Sequence, residues 1–197
     1  MALEQRTLIC PVEVRSTGKG HTAAGYAALF GVEANIGGHF REIIAPGSFA
    51  EAVKGDVLAL YDHDMGRVLG RSSAGTLRMT EDPNGLAVEI DLPDTSDGRD
   101  LAVLMERGDI SGMSFGFSVT KETWDETSSL PLRTIQAVDL IEVSAVARPA
   151  YPDTSIAMRS LEGVRQIAKS RNFNAAANRV GMKVSIDLRM RGLMSKA

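Results

Sequence analysis

Apolar and polar residues alternate in short runs along most of this chain, and such runs predict β-strands. The clearest predicted strands are residues 7–15, 23–32, 56–61, 111–124 and 133–147. Two more strands are predicted within RVLGRSSAGTLRMTEDPNGLAVEIDLP, where alternating residues flank the hairpin signal Pro-Asn-Gly. The pattern is therefore that of a mainly β protein.

Two short helices are predicted between these strands. Ser48 and Glu51 have the spacing of a capping box, and Gly55 can end a helix near 48–54. Residues 95–107 carry apolar side chains at helical spacing. Strands joined by hairpins, with few helices, favour a β-barrel with peripheral helices over a series of βαβ units.

Charge divides the chain into two parts. Residues 160–197 hold eight Lys and Arg against two Asp and Glu, a net charge of +6. The remainder holds 14 basic and 23 acidic groups, a net charge of −9. We therefore predict an acidic domain over residues 1–160 and a basic extension over 161–197 that is helical or flexible.

Composition argues against several classes of protein. A net charge of −3 disfavours nucleic acid as the main partner. The sequence shows neither an apolar run of about 18 residues, as a membrane span needs, nor a secretory signal. The single cysteine, Cys10, allows no intrachain disulfide and suits a reducing cytoplasm.

The most suggestive motif is Gly112-Met113-Ser114-Phe115-Gly116, a G-x-S-x-G. In α/β-hydrolases this motif forms a strand-to-helix turn, and the catalytic histidine follows the serine. Here all three histidines precede Ser114, and the residues after it predict a strand. Both features disfavour an α/β-hydrolase and a small esterase of that type.

Strand alternation gives Ser114 a different setting. If Phe115, Phe117 and Val119 fill the core, Ser114 lies on the opposite face. We expect an accessible side chain there, as a nucleophile requires. The alternative is an ordinary surface serine between glycines.

A nucleophilic serine needs a base, and histidine is the usual one. His21 and His39 lie in predicted glycine-rich loops, whereas His63 follows a predicted strand that could hold it rigidly. His63 could also be a solvated residue between Asp62 and Asp64. A metal site there is disfavoured, because the sequence has no other His or Cys cluster.

A carboxylate could orient the histidine, and the strand VDLIEVSAVA contains two, Asp139 and Glu142. Alternation puts Glu142 on the face of Val138 and Leu140, and Asp139 on the opposite face. Each acid interrupts an apolar stripe, where an unpaired carboxylate is unfavourable. Alternation alone does not choose between them.

Four segments together resemble successive blocks of the tailed-bacteriophage prohead maturation proteases. They are FREIIAPGSFAEAV, YDHDMGRVLGRSSAGTLRM, LPDTSDGRDLAVLMERGDISGMSFGFSV and LIEVSAVARPAYPDTSI. The resemblance covers about residues 20–160 and implies a serine endopeptidase with a β-barrel like that of the herpesvirus assemblins.

The resemblance also implies roles for particular residues. His63 matches the general base, Ser114 the nucleophile and Glu142 the third member, with Asp139 as the alternative. The assemblins have a histidine where this chain has Glu142. Arg148 lies near the place where those enzymes keep oxyanion-stabilising arginines. Neither a cofactor nor a metal is implied.

Further expectations concern location and partners. The family cleaves scaffold and capsid-protein segments inside the immature capsid, in the host cytoplasm, and also itself. We therefore expect phage scaffold and major capsid protein as partners, a homodimer or higher oligomer as an option, and neither nucleic acid nor membrane. The rival hypothesis is a non-catalytic assembly protein on the same barrel, although the chain keeps His63, Ser114 and a carboxylate.

Overall fold

The structure is a computed structural model that describes residues 3–9, 12–17, 20–147, 161–167 and 169. Within these ranges the principal elements, in chain order, are β1 (Glu4–Ile9), β2 (Glu13–Thr17), β3 (Gly20–Leu29), β4 (Ala34–Ile36), β5 (Phe40–Ile44), a 3-10 turn (Ala52–Lys54), β6 (Leu58–Tyr61), β7 (Asp64–Arg71), β8 (Leu77–Glu81), β9 (Gly85–Leu92), α1 (Ser96–Glu106), β10 (Gly112–Asp125) and β11 (Leu132–Val146). Residues 161–167 are also helical.

The strands form two sheets. The larger has the order β1-β10-β11-β5-β4, with β6 beside β11 and β7 beside β6, and the smaller has the order β2-β3-β9-β8. The predicted mainly β fold with peripheral helices is confirmed. The two sheets are not closed, so a closed barrel is not the arrangement of the described strands.

The long antiparallel pair β10–β11 is the centre of the larger sheet, and its two faces differ. Phe115 and Phe117 are buried in the hydrophobic core, where the Phe115 ring lies 5.6 Å from that of Phe49. Ser114 and Gly116 alternate with these phenylalanines and so face the other way. The predicted division of β10 into a core face and a polar face is therefore correct.

A β-bulge changes the predicted face of Glu142. Phe117 is paired with Leu140, but the next residue back, Gly116, is paired with Glu142, so Ile141 is an extra residue in β11. One extra residue reverses the alternation that follows it. The prediction that Glu142 shares a face with Leu140 is therefore wrong, and the bulge is the reason.

Several predicted elements are correct and others are not. The helix predicted at 95–107 is α1, whose N-cap Thr95 accepts a hydrogen bond from the Gly98 amide. The helix predicted near 48–54 is reduced to the 3-10 turn: the Ser48 hydroxyl lies at hydrogen-bond distance from the carbonyls of Ala45 and Ile135, and the turn begins after Glu51 without a side-chain cap. The strand predicted at 7–15 is two strands, β1 and β2, which lie in different sheets.

The ends of the chain are described only in part. Cys10 and most of the basic extension lie outside the described residues, and the boundary predicted at residue 160 stays a prediction. Among the described helices, none has the length and apolar character needed to cross a membrane.

Candidate active site

His63 lies at the tip of the β6–β7 hairpin. Asp62 and His63 form its two-residue loop and have φ angles of 53° and 60°. Positive φ at both central residues is the pattern of a type I′ turn, whose twist suits a tight hairpin. Asp and His enter this left-handed region more readily than most residues do, so the sequence Tyr-Asp-His-Asp permits the turn.

A buried carboxylate contacts the His63 ring. Glu142 Oε1 lies 2.7 Å from His63 Nδ1, and the Glu142 side chain is 2% exposed. The parallel pairing of β6 with β11 brings the two residues together, because it places Leu58 beside Glu142 and Tyr61 beside Ala145. The other ring nitrogen, Nε2, is buried and has no hydrogen-bond partner among the described residues.

Ser144 links the same two residues. Its hydroxyl donates to Glu142 Oε2 at 2.5 Å and accepts from the His63 backbone amide at 3.3 Å. Ser114 is paired with Ser144 across the β10–β11 ladder. Ser114, Ser144, Glu142 and His63 therefore lie on the same side of the larger sheet.

The Ser114 hydroxyl is not accessible in this structure. The residue is 0% exposed, its Oγ donates to the Arg6 carbonyl at 2.9 Å, and it accepts from the Thr7 hydroxyl at 3.0 Å. The expected exposure of Ser114 is therefore wrong, although its predicted face is right. The reason is β1, which runs antiparallel beside β10 and pairs Thr7 with Ser114.

The other candidates from the sequence lie apart from this group or beyond the described residues. Asp139 is exposed and paired with Ser118, whereas the carboxylate beside the histidine belongs to Glu142. His39 is exposed, and His21 Nδ1 lies 3.9 Å from Glu106. Arg148 lies outside the described residues.

Sequence reasoning missed Ser144 and Thr7. Ser144 had a usable signal, because it lies two residues after Glu142 and a strand of period 2 puts both on one face. The sequence carried no signal for Thr7, because Thr7 and Ser114 are 107 residues apart in the chain and only strand pairing brings them together.

The arrangement suits proton transfer more than metal binding. A carboxylate at Nδ1 holds an imidazole in the tautomer whose Nε2 can accept a proton. Within the described residues, no group of three or more His, Cys, Asp and Glu side chains could hold a metal ion.

Comparison with known proteins gives this geometry a context. The profile of the caudovirus prohead serine protease family matches residues 10–169, which is most of the chain. The chain belongs to this family. It is a serine endopeptidase of prohead maturation, as the four sequence segments indicated.

Two individual proteins support the assignment. The prohead protease of Enterobacteria phage HK97 is 32% identical over 173 residues, which cover 82% of this chain and 71% of that protein. The solved structure of the bacteriophage T4 capsid assembly protease superposes with a TM-score of 0.54 at 18% identity, over 75% of this chain and 98% of that one. At this identity the T4 structure supports the fold alone.

Proposed function

We propose that this prohead protease cleaves peptide bonds with Ser114 as nucleophile, His63 as general base and Glu142 as the acid that orients His63. The observation that carries the proposal is the 2.7 Å contact between Glu142 and His63 Nδ1, which leaves Nε2 without a partner among the described residues. A partly buried imidazole with a carboxylate on one nitrogen suits a base whose other nitrogen serves a hydroxyl.

The reaction begins when the Ser114 hydroxyl turns from the Arg6 carbonyl towards His63 Nε2. His63 takes the proton as Oγ attacks the substrate carbonyl, and Glu142 stabilises the resulting imidazolium. His63 then protonates the leaving amine, and water hydrolyses the acyl-enzyme in a second round. Backbone amides near Arg148 stay the candidate oxyanion donors, each worth roughly 3–4 kcal/mol in such sites.

Glu142 suits the third role better than Asp139 does. A buried carboxylate needs hydrogen-bond partners, and Glu142 has two, His63 and Ser144. Asp139 is exposed and can be solvated without a partner. We therefore assign the third role to Glu142, whose buried carboxylate contacts His63.

The substrates we propose are the scaffold and major capsid proteins of the phage and, in self-processing, the protease itself. Cleavage takes place inside the immature capsid in the host cytoplasm. The basic extension, residues 161–197, docks on an acidic surface of the scaffold or capsid. A homodimer or higher oligomer would allow one copy to cleave the other during self-processing.

The decisive experiment compares self-cleavage of the wild-type chain with that of Ser114→Ala during co-expression with the phage scaffold and capsid proteins. We expect fragments from the wild type, and none from Ser114→Ala or His63→Ala at equal folding by circular dichroism. Intact wild-type mass under assembly conditions would contradict the proposal and favour a non-catalytic assembly protein.

Matched variants test the other assignments in the same assay. Glu142→Gln should slow cleavage by about a hundredfold or more, since it removes the charge that stabilises the imidazolium. Asp139→Asn, His21→Ala and His39→Ala should cleave like the wild type. Slow cleavage by Asp139→Asn with normal cleavage by Glu142→Gln would assign the third role to Asp139.

A further inference from the structure

The Glu142 carboxylate lies directly over Gly116. A Cβ atom added to Gly116 would come within 2.4 Å of Glu142 Oε1 and 3.1 Å of the carboxyl carbon. Such distances are far below van der Waals contact, so the carboxylate occupies the space that a side chain at this position would need. The second glycine of the G-x-S-x-G motif is thus explained by the acid on the neighbouring strand.

Ser144 holds the same carboxylate from the side. Its hydroxyl donates to Oε2, the oxygen that does not contact His63, and it accepts from the His63 amide. Ser144 is 0% exposed, so these bonds are shielded from bulk solvent. One hydroxyl therefore fixes both the acid and the backbone of the left-handed turn that carries the histidine.

We infer that Gly116 and Ser144 form a seat for Glu142 and act as positioning residues for His63. Gly116 provides the space for the carboxylate, and Ser144 fixes its second oxygen and the His63 backbone. Without the seat, Glu142 can rotate away from Nδ1, and the imidazole loses its orientation. The expected kinetic effect rests on the proposed function, whereas the seat itself rests only on the contacts of Gly116 and Ser144 with Glu142 and His63.

The first test is spectroscopic and does not require activity. In the Ser114→Ala background, the proton on His63 Nδ1 should give a downfield proton NMR resonance, because Glu142 accepts it at 2.7 Å. Glu142→Gln should remove or shift the resonance. Ser144→Ala should also shift or broaden the resonance, whereas Ser144→Thr, which keeps the hydroxyl, should retain it.

Ser118→Ala is the matched control. Ser118 is another buried serine of β10, and it is paired with Asp139 rather than with the proposed site. Its loss should leave the resonance in place. A resonance that is unchanged in a folded Ser144→Ala protein would overturn the inference, whatever the catalytic activity.

The second test is kinetic and uses a double-mutant cycle. Ser144→Ala should lower kcat of Ser114-dependent cleavage by about tenfold with KM unchanged, as expected for loss of one hydrogen bond to a charged group. Gly116→Ala should lower kcat at least as much, because its Cβ displaces the carboxylate. In a Glu142→Ala background, where no carboxylate needs a seat, Gly116→Ala should not lower kcat further, and Ser144→Ala should lower it by less than in the parent, since only its bond with the His63 amide is then lost. Equal losses in both backgrounds would overturn the inference.

The two tests separate the inference from the proposed function. If no cleavage depends on Ser114, the proposed function fails, and the NMR comparison still decides whether the seat exists. If cleavage depends on Ser114 but Ser144→Ala matches the wild type in kcat and in the resonance, only the seat fails.

Discussion

At the scale of single residues, the decisive feature is the hydrogen bonding of Ser114. Its hydroxyl has two partners on β1, the Arg6 carbonyl and the Thr7 hydroxyl. Both bonds must be broken before Oγ can give its proton to His63 and attack a substrate. In this structure the proposed nucleophile is therefore not positioned to react.

Removing the Thr7 hydroxyl should make Ser114 more reactive. Thr7→Val keeps the shape of the side chain and deletes a bond worth about 0.5–1.5 kcal/mol, which corresponds to roughly a two- to tenfold faster reaction. The measurement is the rate at which a fluorophosphonate labels Ser114. Thr7→Ser, which keeps the hydroxyl, is the control, and slower labelling of Thr7→Val would contradict the prediction.

At the scale of elements, β1 is tied to the larger sheet by a buried charge cluster. Arg6 of β1 contacts Glu42 of β5 at 2.6 Å, and Arg133 of β11 contacts Glu4 of β1 at 2.7 Å and Glu42 at 2.9 Å. The side chains of these four residues are all less than a tenth exposed. A third acid, Glu122 of β10, contacts Arg133 at 2.6 Å, so three acids surround two arginines, and the cluster holds β1 beside β10.

This cluster predicts acid sensitivity. Burial alone would raise the pKa of Glu4, but Arg133 and Arg6 outweigh it and hold the pKa below the ordinary value of 4.5. Because the folded-state pKa is the lower one, the stabilisation is complete above about pH 4.5 and is lost as the pH falls through the folded-state pKa.

Glu4→Gln tests this prediction in the Ser114→Ala background. At pH 7 the variant should lose about 3 kcal/mol of unfolding free energy, since it removes the buried ion pairs of Glu4 with Arg6 and Arg133. The difference from the parent should shrink as the pH falls below about 4.5, as measured by urea unfolding. Glu13→Gln, in an exposed pair with Arg15, should change little. A constant difference down to pH 3 would contradict the assignment.

At the scale of the whole molecule, the main feature is the separation of charge between an acidic body and a basic extension. Attraction between opposite charges on two surfaces is weakened by salt, with a screening length of about 8 Å at physiological ionic strength. If the extension docks on an acidic scaffold or capsid, its charges should govern packaging but not the chemistry at Ser114.

Charge reduction in the extension tests this role. Changing Arg189, Arg191 and Lys196 to Gln should lower packaging into proheads several-fold and weaken its salt dependence, while fluorophosphonate labelling stays normal. The matched control changes Arg15, Arg99 and Arg107, which are exposed arginines of the acidic body. Equal packaging of the two triple variants would contradict docking by the extension.

Much of the fold was predictable because its signals are local. Alternation located β10 and β11 and divided β10 into a core face and a polar face, and helical spacing located α1. The failed predictions, such as the helix near 48–54, also came from local signals, but tertiary contacts outweighed those signals. The Ser48 hydroxyl contacts the carbonyls of Ala45 and of the distant Ile135, and the turn that follows begins after Glu51 without a side-chain cap.

The sequence by itself determined the chemical inventory of this protease, namely a serine, a histidine after a strand and an acid-bearing strand, together with the family that these residues indicate. Only the tertiary structure decided which acid contacts His63 and what surrounds Ser114. The bulge at Ile141 turns Glu142 away from the core face, and the pairing of β6 with β11 carries His63 to it. Alternation assigns the face of a residue only from its near neighbours in the sequence. A bulge and the choice of strand partners instead depend on contacts between distant parts of the chain.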